Sequence, residues 1–221
     1  MGVVALVPAA GRGERLGGSV PKALVPVGGE PLLVHAVRGL HASGRIDRVV
    51  VAAPHSHIDS MMRALAGARL EADVVPGGPN RTESVRLAMA AAGDPEIVLV
   101  HDAARAFTPA QVIVAVVEAV AGGAPAVVPV LPVADTLKRV DAAGVVVDTP
   151  NRSELRIVQT PQGFAGEVLR RAYAAFPDDA TTDDAGLVER LGIAVATVPG
   201  HANALKITTR FDLSVAEAVL A

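Results

Sequence analysis

The chain has 221 residues, 51% of them apolar, and a formal net charge of -3. That length buries one sizeable core, and the acidic balance excludes the basic footprint that grips nucleic acid nonspecifically. There is no cysteine, so disulfides, zinc–thiolate centres and a thiol nucleophile are excluded.

The elements alternate along the chain. Val3–Val7 reads as an apolar strand, too short for the apolar core of a signal segment and without a basic flank. Pro31 opens a helix in which Leu33, Ala36, Val37 and Leu40 share a face, and Gly44 stops it. Strands are expected at Arg48–Ala53, Ala72–Val75, Ile97–Val100 and Ala126–Val130. Helices are expected between them, through Met61–Leu65, Thr82–Ala92 and Gln111–Ala121, with Asn80 and Glu83 spaced as a capping box. Leu131–Arg156 breaks the rhythm: Thr136–Val140 and Val145–Asp148 flank Asp141-Ala142-Ala143-Gly144 as a β-hairpin that projects from the body. Helices at Gly166–Ala175, Asp183–Leu191 and Phe211–Leu220, with short strands near Ala194–Val198 and Lys206–Thr208, complete the reading.

This βα alternation predicts a mostly parallel sheet with helices on both faces, three layers in all. No interdomain linker is visible, so one domain over 1–221 is expected, with an arm at about 132–154. No run of about 18 apolar residues predicts a membrane span, and a cytoplasmic location is expected. Ligands in such folds sit beyond the carboxyl ends of strands, which makes the loops after strands the first candidates.

The loop Pro8–Lys22 follows the first strand and carries Gly11, Gly13, Gly17 and Gly18 among small residues, with Arg15 and Lys22 as cations. Backbone N–H groups approach a ligand closely there. Backbone donors and two fixed positive charges make a triphosphate grip. It is not a Walker A loop, since Pro21 precedes Lys22 and Ala23 follows it, and Leu16 replaces the third glycine of a dinucleotide fingerprint. Gly77-Gly78-Pro79-Asn80-Arg81-Thr82-Glu83-Ser84 follows the third strand and opens a helix, which offers N-terminal donors. His101-Asp102-Ala103-Ala104-Arg105 follows Ile97–Val100. Asp102 is placed to hold Mg²⁺ beside phosphates, and Arg105 to take a substrate phosphate bidentately. The histidines lack the spacing of a zinc site, and no G-x-S-x-G elbow supports a serine nucleophile.

Taken together, the chain resembles the 2-C-methyl-D-erythritol 4-phosphate cytidylyltransferases of the methylerythritol phosphate route to isoprenoids. The resemblance runs nearly end to end. It rests on Pro8-Ala9-Ala10-Gly11-x-Gly13-x-Arg15 with Pro21-Lys22, Gly77-Gly78-x-x-Arg81-x-x-Ser84, Val100 to Arg105, Asp135-Thr136-x-Lys138, Thr160-Pro161-Gln162, Thr182-Asp183-Asp184-Ala185 and Lys206-Ile207-Thr208. It implies a Rossmann-like fold of the nucleotide-diphospho-sugar transferase type. The implied reaction is attack of a polyol phosphate oxygen on the α-phosphorus of CTP, with Mg²⁺ or another divalent cation as cofactor.

By motif position, Arg15, Lys22, Arg152 and Lys206 are the catalytic residues the resemblance implies. Ala9, Ala10, Gly11, Gly13, Gly78, Arg81, Ser84 and Asp102 serve CTP, with Asp102 on the metal. Arg105, Asp135, Thr136, Arg152, Thr160 and Lys206 serve the polyol phosphate. The arm embraces a second subunit in that family, so a homodimer is implied, with Thr136 and Arg152 serving the partner's site. Leu16, Ala23-Leu24 and Pro79 depart from the family's common pattern without removing a charged participant. The cyclodiphosphate synthase domain fused in some relatives is not expected. Two alternatives stand beside this reading: a ribitol 5-phosphate cytidylyltransferase, and a non-catalytic nucleotide-binding protein.

Overall fold

The computed structural model describes residues 2–11, 20–177 and 183–220. The first strand, β1 (Val3–Pro8), sends Val3, Ala5 and Val7 into one apolar cluster and Val4 and Leu6 into another. A strand apolar on both faces needs a cover on each. After β1 come a small hairpin, β2 (Pro26–Val27) and β3 (Glu30–Pro31), then α1 (Leu32–Ala42), β4 (Arg48–Ala53), α2 (Ile58–Gly67), β5 (Asp73–Pro76), α3 (Arg81–Ala92), β6 (Ile97–Val100), α4 (Ala110–Ala121) and β7 (Ala126–Pro132). The chain continues through the hairpin β8 (Arg139–Val140) and β9 (Val146–Asp148), strands β10 (Arg156–Val158) and β11 (Gln162–Ala165), helices α5 (Gly166–Ala175) and α6 (Ala185–Arg190), β12 (Ala196–Pro199) and α7 (Arg210–Leu220).

Helices α1, α2 and α4 cover one face of the sheet through Leu33, Leu40, Met61, Leu65, Ile113 and Val116. Helices α3, α5 and α6 cover the other through Val85, Met89, Leu169, Tyr173 and Leu187. Each buried leucine contributes about 1.5–3 kcal/mol, which is how a core short of aromatics still holds; its largest members are Tyr173 and Phe164.

Strands β6, β1, β4 and β5 lie side by side and parallel, Ala5 facing both Val49 and Leu99. Strand β11 enters antiparallel between β6 and β7. Val127 pairs with Gly163 of β11 and Ala196 of β12, and Val130 with Val158 of β10 and Pro199 of β12. β10 and β11 therefore run along one side of β7 and β12 along the other. The expected sheet is present, mostly parallel, but with this antiparallel insertion.

Local chemistry sets the boundaries. Pro31 at the N-cap of α1 has φ -57, and Gly44 beyond its end has φ +63. Asn80 accepts the Glu83 N–H at 2.8 Å, but the Glu83 carboxylate turns to Arg86 instead, so only the Asn80 half of the capping box forms. The projecting hairpin is present as a separate two-stranded sheet, shorter than expected. Asp141 Oδ1 accepts the Ala143 and Val145 N–H groups at 2.9 Å, which closes its turn. One expected strand does not form: Lys206–Thr208 is irregular, tied to the body by a bond from Ile207 N–H to the Ala104 carbonyl at 2.9 Å.

Candidate active site

The loops after β1, β4, β5 and β6 meet around a cavity of about 870 Å³. Chain order reverses across β1, since β4 lies on one side of it and β6 on the other, and such a switch point opens a crevice. Pro8–Gly11, Pro54, His55, Gly77–Arg81, Ser84 and Asp102–Ala104 line the cavity; Lys22, Ala23, Lys206 and Thr208 complete the wall.

The inner loops are pinned to the sheet. Ala9 N–H donates to the Ala52 carbonyl at 2.8 Å and Gly77 N–H to the Ala53 carbonyl at 2.7 Å. A Cβ on Gly77 would sit 3.0 Å from the Ala10 Cβ and 3.1 Å from Ser84 Oγ, and one on Gly78 would run into the Glu83 side chain. Glycine is needed at Gly78, and any larger residue at Gly77 would crowd Ala10 and Ser84. Ser84 Oγ accepts the Gly78 N–H at 3.1 Å and donates to the Asn80 carbonyl at 2.8 Å. The result is a wall of small residues and backbone groups.

Charge is concentrated at the end of β6. Asp102 Oδ1 accepts from Arg81 Nε at 3.1 Å, and Oδ2 lies 2.7 Å from Lys206 Nζ. Burial alone would raise the Asp102 carboxyl, but Arg81 and Lys206 outweigh it and hold the group well below the usual carboxylate range. The Asp102 N–H donates to Thr160 Oγ1 at 3.0 Å, and Thr160 Oγ1 is bonded to His101 Nδ1 at 3.0 Å. Complete burial draws His101 down to about 4, so its ring is neutral near pH 7. Behind Asp102, Arg81 Nη2 reaches the wholly buried Asp184 at 2.6 Å.

Of the residues expected to serve CTP, Ala9, Ala10, Gly11, Gly78, Arg81, Ser84 and Asp102 are brought to the cavity, as are Lys22 and Lys206. Gly13 and Arg15 lie outside the described residues. Thr160 is buried beneath Asp102 rather than on the cavity wall. Asp135, Thr136 and Arg152 lie exposed on the arm, and Arg152 donates to the Ala134 carbonyl; none of the three lines the cavity of their own chain.

Arg105 is engaged within the fold. Its Nη1 donates to the Ala204 carbonyl at 2.7 Å and its Nη2 to the Val158 carbonyl at 3.1 Å, and it is absent from the cavity wall. These two bonds leave Nε without a hydrogen-bond partner, and through them Arg105 helps hold the segment that carries Lys206. Gln159 clamps His201 in the same segment, through Nε2 to its carbonyl and Oε1 from its N–H, both at 2.9 Å. Asp212 accepts the Thr208 and Thr209 N–H groups at 2.8 and 2.7 Å. Sequence reasoning missed Gln159, Asp212, Tyr173 and the cavity residue His55. Asp184 was visible only as part of a motif without a role.

An α/β fold with a glycine-lined cavity at its strand ends, floored by a carboxylate between two cations, defines a nucleotidyltransferase-type protein. The model of the IspD family, 2-C-methyl-D-erythritol 4-phosphate cytidylyltransferase, matches residues 3–221, and the chain belongs to that family. It is similar to the 2-C-methyl-D-erythritol 4-phosphate cytidylyltransferase of Saccharopolyspora erythraea, with 67% identity over all of both chains. The enzyme of that name from Rhodococcus jostii is 56% identical, over 99% of this chain and 95% of the relative. Among solved structures, that of the Thermus thermophilus enzyme superposes with a TM-score of 0.80 at 38% identity, covering 99% of this chain and 98% of the other. The Anaerococcus prevotii 4-diphosphocytidyl-2C-methyl-D-erythritol synthase gives 0.87 at 27% identity, with 99% and 98% covered.

Proposed function

We propose that the chain works as a magnesium-dependent homodimer that joins CTP to 2-C-methyl-D-erythritol 4-phosphate, releasing pyrophosphate and forming 4-diphosphocytidyl-2-C-methyl-D-erythritol for isoprenoid synthesis. The observation that carries the site assignment is the cluster Arg81–Asp102–Lys206, set directly below the small-residue wall. Ala9–Gly11, Gly78 and Ser84 receive the cytosine, and Lys22 with Arg15 neutralises the triphosphate. Lys206 orients the attacking phosphate. No covalent enzyme intermediate is required, so the protein's part is alignment and stabilisation of charge on the phosphoryl oxygens.

Asp102 fits a magnesium ion that arrives with the triphosphate. Such an ion takes only one or two protein carboxylates and fills its shell with water and phosphate oxygens. Among the described residues no group of three or more His, Asp or Glu side chains gathers, and Asp102 supplies one ionised carboxylate at the cavity floor. The bound ion would supply charge neutralisation and orientation of the phosphates.

The arm supports the dimer. Val140, Val145, Val146, Val147 and Ile157 are exposed on and beside it, apolar side chains of the kind an interface covers. Thr136 and Arg152 then serve the partner's cavity, not their own. Among the described residues no helix is long and apolar enough to cross a membrane, and the need for CTP favours the cytoplasm. Mixed dimers test the assignment, with Lys22→Ala in one subunit and Arg152→Ala in the other. Recovery of one working site of the two is expected; no recovery rejects the shared site.

A further inference from the structure

Asp184 and Tyr173 lie behind the cavity, and neither lines it. Asp184 is 0% exposed and Tyr173 2% exposed. A carboxylate so buried is retained only where charge and hydrogen bonds satisfy it. Asp184 has both: Tyr173 Oη donates to Oδ1 at 2.6 Å and Arg81 Nη2 to Oδ2 at 2.6 Å. Its backbone N–H is fixed as well, donating to Gln162 Oε1 at 3.1 Å, while Gln162 Nε2 donates to Asp183 at 2.9 Å.

The other edge of the Arg81 guanidinium reaches Asp102. One planar group thus spans two carboxylates, the inner one fully buried and the outer one on the cavity wall. An arginine offers its fork to whichever carboxylate best accepts it. With Asp184 in place, Arg81 gives Asp102 only Nε, and Lys206 takes the second oxygen. Without that inner anchor, the fork is free to close on both oxygens of Asp102 and displace whatever else needs them.

We propose that Asp184, held by Tyr173, is a positioning residue for the transfer reaction: it restrains Arg81 so that one oxygen of Asp102 stays available to Lys206 and to a divalent cation. The proposal rests on the reading of Asp102 as the metal-holding carboxylate. Tyr173 keeps Asp184 aimed and Asp184 keeps Arg81 from closing on Asp102; Tyr173 and Asp184 themselves do not reach the cavity.

A double-mutant cycle tests it. Asp184→Asn, Asp102→Asn and the double variant are compared for kcat and, by calorimetry, for the gain in CTP affinity when EDTA is replaced by Mg²⁺. Asp184→Asn is expected to lower kcat about 10- to 100-fold, the scale for losing a hydrogen bond to a charged group, and to abolish the Mg²⁺-dependent gain. In the Asp102→Asn background the same change moves kcat by less than about threefold, because coupled residues are not additive. Full multiplication of the two losses, or an intact Mg²⁺ gain in folded Asp184→Asn, overturns the relay. An intact Mg²⁺ gain in Asp102→Asn alone overturns the metal reading beneath it. If Asp184→Asn does not fold, Tyr173→Phe decides: a several-fold fall in kcat that vanishes in the Asp102→Asn background supports the relay, and an unchanged kcat rejects it.

Discussion

Arg105 offers the sharpest contrast between a residue that binds substrate and one that builds the site. Its guanidinium makes two hydrogen bonds, to the carbonyls of Ala204 and Val158, and burial draws its pKa below the ordinary arginine value. Arg105→Met keeps the length of the stem and removes both bonds. A hydrogen bond from a charged donor contributes about 1.5–3 kcal/mol, and relief of the buried charge returns part of the two, leaving a net loss of about 2–4 kcal/mol. For a chain of this size each kcal/mol lowers the melting midpoint by about 2–4 °C, so a fall of roughly 5–15 °C is expected. The loosened segment carries Lys206, so KM for the polyol phosphate should rise several-fold while KM for CTP stays within about twofold. Thermal melts and steady-state kinetics well below the midpoint read both effects. An unchanged midpoint with a polyol KM raised about 100-fold would refute the reasoning, since it would place Arg105 directly on the phosphate.

Three further outcomes are expected. Lys22→Ala lowers kcat by about 10²-fold or more while weakening CTP binding far less, because its charge counts most in the transition state; equal losses in titration and turnover would make it a ground-state anchor. Arg152→Ala raises KM for the polyol phosphate strongly and leaves KM for CTP near its original value, read by varying each substrate in turn. His101, ordinarily at 6.5 and drawn to about 4 by burial, stays neutral in the folded chain where the unfolded chain takes up a proton. Stability of the metal-free protein should therefore fall as pH drops from 6.5 towards 4, by about 3 kcal/mol over the full window. Denaturant unfolding across that window should show a shallower slope for His101→Gln; equal slopes would remove His101 as the cause.

The strands that frame the cavity were legible because each is a run of β-branched residues ending in a loop. Ile97–Val100 and Arg48–Ala53 were read to the residue for that reason. Gln162–Ala165 was not, since Gln-Gly-Phe-Ala carries one large apolar side chain, and pairing with β6 and β7 makes it a strand. Lys206–Thr208 misled in the opposite sense. It is anchored by Asp212 and Ala104, and among the described residues no strand pairs with it. The cavity residues of the glycine loops could be read because carboxyl-end loops are where ligands bind. The carbonyl partners of Arg105 could not be read, since they lie 99 and 53 residues away. Asp184 meets Arg81 across 103 residues, a separation that spacing within a motif does not reveal.

The central claim is the identity of the two substrates, and it is tested most directly by following pyrophosphate release with Mg²⁺ and CTP while offering 2-C-methyl-D-erythritol 4-phosphate and ribitol 5-phosphate separately. Turnover with the methylerythritol phosphate, abolished by EDTA, is expected. Turnover with ribitol 5-phosphate alone, or CTP binding without pyrophosphate release from either, would contradict it.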